Sequence, residues 1–387
     1  MNRLKLKRLI ERSLTDQGFR IRDGHILPPP RLTKKKLRNL HALAVKHKLE
    51  RAREGLKPFE AKLLNRLAPG HEVVPEDIKP RLVEVQRGSD DELLFRYASL
   101  HWSIPVSSGY GRRLRFLVID DQNGKLIGLF GLADPVFNLG GRDKWIGWDD
   151  KARKTNLHHV MDAFVLGAVP PYSFLLCGKL VSMLTASNEV RNAFKRKYGG
   201  HRSLIRQKRL DARLAMITTT SALGRSSIYN RLKYHDRLLF QSVGFTQGSG
   251  EFHFMNGLYS TISEYAWRYC EPTAKKERWG SGFRSRREVV KKCLAKVHLS
   301  TELLYHGIQR EIFVVPQARN TREFLRGEHS RLIWFNQSVE DLFGFFRERW
   351  LLPRSLRDER YKAWHPDEWS IWKAIEESNA RHVLRPS

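Results

Sequence analysis

The sequence predicts an α+β protein in which a central region containing a sheet is flanked by helical regions at both ends. Strand-like apolar runs are confined to the middle of the chain, between about Arg115 and Phe254. Leucines at helical spacing precede them, and beyond Ser260 the pattern becomes helical again. With 387 residues, 41% of them hydrophobic, the chain is long enough for two or three domains with buried cores.

Composition and breaker residues divide the chain into three expected parts. These are a basic helical N-terminal region (1–75), an α+β domain (76–262) and a helical C-terminal region (263–387) that is rich in tryptophan. Six of the ten tryptophans lie between Trp279 and Trp372, which is why we expect this last part to bury large side chains.

The N-terminal region reads as two or three helices. Leu4, Leu9 and Leu14 recur near helical spacing and predict the first one. Thr33 is placed to cap a helix that runs to about Gly55. Pro58 suits the first position of the next helix.

The central region begins with a hairpin and continues as strands and helices in alternation. Arg115–Asp120 and Lys125–Gly131 are strand-like runs joined by Asn123-Gly124, a strong hairpin signal. The further expected elements are a strand at Met161–Val169, helices at Ser173–Thr185 and Glu189–Tyr198, a strand at Arg213–Thr220, a helix at Ser226–Phe240 and a strand at Glu251–Phe254.

One apolar stretch, Ala163 to Leu184, is long enough to cross a bilayer. Pro170-Pro171 interrupt it and Lys179 follows, so a strand, a turn and a helix explain it better. We therefore expect no membrane partner. The three widely spaced cysteines and an N-terminus without an apolar signal segment point to the cytoplasm.

The net charge of +29 names the class of partner. Residues 1–66 carry 19 Lys and Arg against 6 Asp and Glu, and residues 191–237 carry 13 against 2. Folding does not need this excess, because like charges repel in the compact state. Nucleic acid is the expected partner, with DNA favoured, since Lys and Arg displace the counterions condensed on phosphates.

The candidate nucleic-acid contacts lie in these two basic regions. They are Lys34, Lys35, Lys36 and Arg38 in the first region, and Lys195, Arg196, Lys197, Arg202, Arg206, Lys208, Arg209 and Arg225 in the second. Arg225 is followed by Ser226 and Ser227, which suits a phosphate site. The alternative for Ser226 is an ordinary helix cap.

Clustered aspartates leave a metal-dependent nuclease open as a weaker alternative. Asp120-Asp121 stand at the hairpin turn, where aspartate is common, and Asp149-Asp150 form a second pair. No residue set has the spacing of a metal site, so we assign no metal ligands.

The order of elements resembles the GNAT fold of N-acetyltransferases, which has a mixed sheet and holds acetyl-CoA at the turn after its fourth strand. The resemblance covers about Arg115–Phe254 and implies a mixed-sheet, GNAT-like central domain. It makes Val169, Gly178 and Lys179 the candidate cofactor-binding residues, for acetyl-CoA or another phosphate-bearing ligand.

Two departures from the GNAT pattern concern cofactor binding and catalysis. Phe174 and Leu176 stand where the family has glycines, and Phe240 stands where it often has a tyrosine acid. Asp162 and Tyr172 are the substitutes that we assign as candidate catalytic residues.

Several longer strings resemble the DruA family (a DUF4338-type domain). They are Trp102-Ser-Ile-Pro105, Gly109-Tyr-Gly-Arg-Arg113, Arg142-Asp-Lys-Trp-Ile-Gly-Trp148, Met161–Tyr172, Thr218–Ala222 and Gly224–Leu232. This resemblance implies a part in the bacterial Druantia anti-phage defence system, beside a helicase-like protein and other subunits.

Together these signals favour a nucleic-acid-binding component of a multi-subunit antiviral system that contacts the DNA backbone through basic patches. The alternative is a divergent acyltransferase or nucleic-acid-modifying enzyme on the same scaffold.

Overall fold

The computed structural model describes residues 1–107, 109–200, 211–273, 279 and 283–373. The α-helices are α1 (Arg3–Asp16), α2 (Lys34–Leu56), α3 (Glu60–Leu64), α4 (Asp90–Ala98), α5 (Gly140–Ile146), α6 (Asp150–Asn156), α7 (Cys177–Leu184), α8 (Asn188–Tyr198), α9 (Leu258–Tyr269), α10 (Phe283–Lys296), α11 (Thr321–Arg326), α12 (Val339–Phe346) and α13 (Leu352–Ser355). The strands are β1 (Arg20–Arg22), β2 (His25–Leu27), β3 (Pro80–Glu84), β4 (Arg113–Asp120), β5 (Lys125–Ala133), β6 (Val160–Ala168), β7 (Met216–Thr220), β8 (Lys233–Tyr234), β9 (Arg237–Leu238), β10 (Gln241–Phe245) and β11 (Glu311–Pro316).

Seven of the strands form one mixed sheet in the order β10-β11-β7-β6-β5-β4-β3. Neighbours are antiparallel except β6 and β7, which run parallel. The predicted α+β class with a mixed sheet is confirmed. The hairpin of β4 and β5 is confirmed too, with Asp120 opposite Lys125 at its turn.

Strand β11 comes from the part of the chain that was expected to be helical. It lies between β7 and β10, and all six of its residues are buried. A short apolar run covered on both faces has no alternation of polar and apolar residues, so periodicity alone does not separate it from a helix. The three-part division of the chain stays a prediction, and the packed sheet draws strands from the second and third parts.

The two faces of the sheet are covered by different elements. Leu114, Phe116 and Val118 of β4 pack in a cluster with α7, α8 and α12. Leu117 and Ile119 of the same strand face the opposite way, into a cluster with α3, α4 and the end of α2. Trp364 and Trp372 complete that second cluster, so these two C-terminal tryptophans are core residues.

A further cluster joins α1 and α2 to α9 and α10. Leu6, Ile10 and Leu14 of α1 pack with the start of α2 and with α9 and α10. The predicted helix is present, but its predicted apolar face was wrong in part: Leu4 is 59% exposed and Leu9 is 38% exposed. The buried face of α1 depends on the positions of α9 and α10, which the spacing of leucines within α1 does not indicate.

Three central elements differ from prediction. The segment Ser226–Phe240 is not a helix, because Arg231 and His235 take left-handed backbone angles and the short hairpin β8–β9 forms instead. Glu251–Phe254 contains a 3-10 turn rather than a strand. The helix expected from Ser173 begins at Cys177, since the residues before it form successive tight turns.

The stretch Ala163–Leu184 is a strand, a turn and a helix, as predicted. Within the described part of the chain, we find no helix with both the length and the apolar character that a membrane crossing requires.

Candidate functional site

The parallel strands β6 and β7 pair at only one end. Val160, Met161 and Asp162 of β6 stand opposite Met216, Ile217 and Thr218 of β7, and the pairing stops there. β6 continues to Ala168 along β5. The backbone pairing of the sheet is therefore open between these strands beyond Asp162, where the Thr219 hydroxyl still donates to Ala163 O at 3.0 Å.

Asp162 lies at the point where the strands part. It accepts a 2.7 Å hydrogen bond from the Thr218 hydroxyl. Burial raises the pKa of its carboxyl to about 6, against the opposing effects of this hydrogen bond and of Arg142. A carboxyl that titrates near neutral pH can exchange protons, which is the property that a general acid or base needs.

Tyr172, the second candidate catalytic residue, occupies a different environment. Its side chain is fully buried and donates a 2.8 Å hydrogen bond to Asp120 Oδ2, while the Asn123 amide donates to its hydroxyl oxygen at 3.0 Å. Burial and the Asp120 carboxylate raise its pKa well above the usual range. Tyr172 thus ties the turn after β6 to the β4–β5 hairpin.

The structure does not bring these two residues together. Asp162 stands near the start of β6 and Tyr172 beyond its end. At about 3.3 Å per residue, the strand between them spans roughly 20 Å. They cannot act on the same reacting atoms.

The turn after β6 does not fit a pyrophosphate. The backbone N–H groups of Ser173 to Cys177, and that of Lys179, all donate to carbonyls of the turn itself. A phosphate cradle needs such donors free and pointing at the ligand. The N–H groups of Val169 and Lys179, two of the three residues predicted to hold acetyl-CoA, are therefore already in use.

The three candidate cofactor-binding residues are buried to different degrees: Val169 fully, Gly178 and Lys179 in part. Val169 is fully buried, and its N–H donates to Ile127 O of β5. A Cβ placed on Gly178 would stand 3.4 Å from Ile228 Cδ1. The Lys179 ammonium lies 5.5 Å from the centre of the Trp350 ring, and burial lowers its pKa.

The first basic patch is at the start of α2. Thr33 caps this helix by accepting from the Lys36 N–H, as predicted. Lys34, Lys35, Lys36 and Arg38 are all exposed. Lys36 donates to Pro30 O at 2.8 Å, and Arg38 Nε donates to Ser103 Oγ at 3.4 Å, so the contacts recorded for the patch are to neutral groups.

Arg225 lies beside this patch, although almost 200 residues separate it from α2 in the sequence. Leu223 packs in the same cluster as Leu37, and a Cβ on Gly224 would stand 4.0 Å from Leu37 Cδ1. Arg225 itself is exposed. The predicted residues at positions 34–38 and Arg225 therefore belong to one surface, which we call the α2 surface.

The α2 surface reaches the open part of the sheet. Ser103, which accepts from Arg38, follows Trp102, whose ring carbon Cζ2 would be 2.9 Å from a Cβ on Gly167 of β6. Gly167 lies in the part of β6 that no longer pairs with β7.

The second basic patch, on α8, is partly neutralised. Arg196 and Lys197 both contact Glu84 of β3, at 2.7 Å and 3.1 Å, while Lys195 is exposed. α8 belongs to the cluster on one face of the sheet, whereas α2 packs on the other face and on the N-terminal helices. The two basic patches therefore lie on helices that pack in different clusters. Arg202, Arg206, Lys208 and Arg209 lie outside the described residues.

The clustered aspartates all have structural partners. Asp120 accepts from the Lys79 N–H and from Tyr172, and Asp121 pairs with Arg81 at 2.8 Å. Asp149 caps α6, and Asp150 pairs with Arg153. Across the described ranges, no three His, Cys, Asp or Glu side chains are grouped as a metal site would require.

Sequence reasoning missed Arg31 as a member of the α2 surface. It is exposed and lies two residues before the cap of α2, Thr33. The signal is present in the sequence: from Arg31 to Leu49 there are seven Lys and Arg and no Asp or Glu. A run free of acids is a better guide to an unpaired surface than a count of cations.

These features define a class: a basic α+β protein with an open mixed sheet and an exposed cationic helix end beside the opening. The sequence profile of a family described as "Druantia protein DruA" matches residues 31–327. A Druantia protein DruA from Escherichia coli (strain UMEA 4076-1) is 40% identical over 361 residues, covering 93% of this chain and 89% of that protein. The chain therefore belongs to the DruA family, as its sequence motifs predicted. No solved structure matches it.

Proposed function

We propose that this chain is a DNA-binding component of a Druantia anti-phage defence system, working in the cytoplasm with other subunits that include a helicase-like protein. Membership of the DruA family supports the biological role. The observation that carries DNA binding is the α2 surface, with Lys34, Lys35, Lys36, Arg38 and Arg225 exposed side by side. The three cysteines are free thiols, in keeping with a reducing compartment.

The placement of these cations opposes the stability of the helix. A helix N-terminus carries a positive partial charge, so lysines in the first turn are unfavourable there. α2 has no acidic residue in that turn, and three lysines begin it. An anion bound at this end would remove the repulsion, and the first free N–H groups of the helix point the same way. The phosphates of a DNA backbone would supply this negative charge.

The test is the salt dependence of DNA binding. Fluorescence anisotropy with a labelled duplex should give a steep linear fall of log K with log salt. In the variant K34A/K35A/R38A, the slope should decrease by about 3, since each phosphate contact contributes roughly 0.9. Affinity should fall alike for unrelated sequences, because backbone contacts carry no sequence information.

The matched control is K195A/R196A/K197A, which removes three cations from α8. We expect a smaller change there, because Arg196 and Lys197 are held by Glu84. A slope that is unchanged in the α2 variant, or equal losses in both variants, would refute the assignment to α2. A single-stranded RNA of equal length serves as competitor, and stronger competition by RNA than by duplex DNA would contradict the DNA preference.

A divergent enzyme on a GNAT-like scaffold is the second candidate, and Asp162 is the observation that favours it. β6 is the fourth strand of the large sheet in chain order, the sheet opens after Asp162, and that carboxyl has a raised pKa. The turn that should hold acetyl-CoA argues against acetyl transfer. Thermal unfolding with and without acetyl-CoA tests acetyl transfer, and we expect acetyl-CoA not to shift the Tm. A Tm shift that persists in the Asp162→Asn variant would place the cofactor away from Asp162.

A further inference from the structure

A second basic feature lies at another edge of the molecule, where the large sheet ends at β10 and β11. It is a concave pocket of about 290 Å³. Residues from four separate parts of the chain line it, including Trp145, Arg237, Gln241, Arg319, Arg322 and Phe335. No residue of α2 is among those that line it, so it is distinct from the α2 surface.

Aromatic rings hold two of the arginines in place. The Arg237 guanidinium carbon lies 3.7 Å from the centre of the Phe335 ring, and Arg237 also donates to Gln337 Oε1. The Arg322 guanidinium carbon lies 5.5 Å from the centre of the Trp145 ring. A guanidinium supported by a ring loses less conformational entropy on binding than a free surface side chain, so its donors are pre-organised.

Three arginines line the pocket against one carboxylate, Glu323, and the charge of Glu328 also acts on Arg322. Among the described ion pairs, none joins a carboxylate to Arg237, Arg319 or Arg322. Glu323 also lines the pocket, but it lies 3.7 Å from Arg326. Burial, together with the smaller effect of neighbouring Arg191, lowers the pKa of Arg237 to about 10, and the group remains charged at neutral pH.

Arg191 is not among the residues that line the pocket, but its charge, partly offset by Glu189, acts on Arg237. Arg191 lies over Trp334, 5.0 Å from the ring centre, and its Nη1 atom is buried without a hydrogen-bond partner. A buried cationic donor that lacks a partner is costly, and guanidinium groups held close to each other repel. An anion bound beside Arg237 would reduce the repulsion between Arg237 and Arg191.

The size and chemistry select the ligand. Several convergent guanidinium groups match the oxygens of a phosphate better than those of any neutral group. A volume near 300 Å³ is at the lower end for ligand pockets, which suits one nucleotide and excludes a duplex. We infer that this pocket binds the terminal phosphate of a single nucleotide, either free or at the end of a DNA strand.

The experiment measures binding of three probes by isothermal titration calorimetry: ATP, a 5′-phosphorylated DNA trinucleotide and the same trinucleotide with a 5′-hydroxyl. We expect ATP or the phosphorylated trinucleotide to bind, and the hydroxyl form to bind at least tenfold more weakly. Whichever of the two binds identifies the source of the phosphate. If neither binds at millimolar concentration, or if the hydroxyl form binds equally, the inference is overturned.

Variants locate the binding. R319A and R322A alter exposed side chains, so they should fold normally, and each should weaken binding about tenfold, the effect of losing one charge-assisted hydrogen bond. R322K should recover only part, because an ammonium lacks the planar fork. R357A, which removes an exposed arginine whose Nε donates only to Pro353 O in the described contacts, is the matched control and should bind like the wild type.

The variant K34A/K35A/R38A separates this inference from the DNA-binding proposal. It should leave binding of the small probes unchanged while duplex affinity falls. Loss of ATP or trinucleotide binding in that variant, with R319A and R322A unaffected, would assign the phosphate site to α2 and overturn the inference.

Discussion

The start of α2 and the end of α8 have similar basic sequences, but their side chains make different contacts in the folded protein. Each has three consecutive basic residues, at 34–36 and at 195–197. On α8, Glu84 comes from a strand more than 100 residues earlier and pairs with Arg196 and Lys197. On α2, the hydrogen bonds of the Lys36 and Arg38 side chains among the described residues are to a carbonyl and a hydroxyl. A basic triplet is thus available to a partner only where the fold leaves it unpaired.

The electrostatics of the helix ends sharpens this difference. The α8 triplet lies in the last turn, where cations are favourable for the helix dipole. The α2 triplet lies in the first turn, where they are unfavourable. The α8 triplet therefore has a structural reason to be present, whereas the α2 triplet has a reason only if an anion binds.

Charge reversal should give the largest difference in duplex affinity between variants of α2 and variants of α8. K35E/R38E on α2 should lower duplex affinity roughly 100-fold, since two charge-assisted contacts are replaced by repulsion. K195E/R196E on α8 should lower it only a few-fold. Both are measured by anisotropy at fixed salt. An equal loss would show that the pairing with Glu84 does not keep α8 from DNA.

Releasing the α8 cations from Glu84 should raise duplex affinity, and by a smaller factor than charge reversal on α2 lowers it. Glu84→Gln removes the charge that holds Arg196 and Lys197, so duplex affinity should rise several-fold and the salt slope should increase by up to about 2. Stability should fall by no more than about 1 kcal/mol, because Arg196 is exposed and Lys197 is half-buried. An unchanged affinity would mean that bound DNA does not reach α8.

Loss of the α2 cap should act on the cations indirectly. Thr33→Ala removes the acceptor of the Lys36 N–H, which should cost about 1 kcal/mol of stability. Fraying of the first turn should then lower duplex affinity about twofold by loosening Lys34 to Lys36. Thr33→Ser keeps the acceptor and should preserve both the Tm and the affinity. A cap variant that binds DNA more weakly without any change in Tm would contradict this explanation.

Asp162 lies outside both basic surfaces, so Asp162→Asn should leave duplex affinity unchanged. Its effect should appear in the pH dependence of stability. The folded pKa of about 6 is above the unfolded value, so the carboxyl disfavours the folded state as the pH rises from about 4 through 6. The asparagine variant should match the wild type near pH 4 and exceed it at pH 7 by on the order of 2 kcal/mol. Denaturant midpoints at the two pH values measure this, and a constant difference would refute the raised pKa.

Local signals in the sequence predicted much of the fold correctly. The Thr33 cap, the Asn123-Gly124 hairpin and the strand that begins at Val160 all depend on neighbours within a few residues. The prediction failed where packing decides between helix and strand. Glu311–Pro316 became the buried strand β11, and the predicted helix at Ser226–Phe240 became turns.

The candidate site follows the same division. Residue type identified Lys34–Lys36, Arg38 and Arg225 as cations suited to phosphate, and only the fold placed Arg225 beside α2. Asp162 was assigned from its place on a strand, but its raised pKa comes from burial. Tyr172 carries a hydroxyl suited to catalysis, and the tertiary structure uses it to anchor the hairpin through Asp120.

The sequence by itself determined the family and the elements whose signals are local, because motifs, caps and hairpin turns are properties of short segments. The tertiary structure alone decided which basic residues remain unpaired, where the sheet opens and which arginines line a common pocket. Those outcomes depend on contacts between residues far apart in the chain, such as Glu84 with Arg196 and Trp145 with Arg322. Long-range pairing is set by the packing of the whole chain, and no local pattern encodes it.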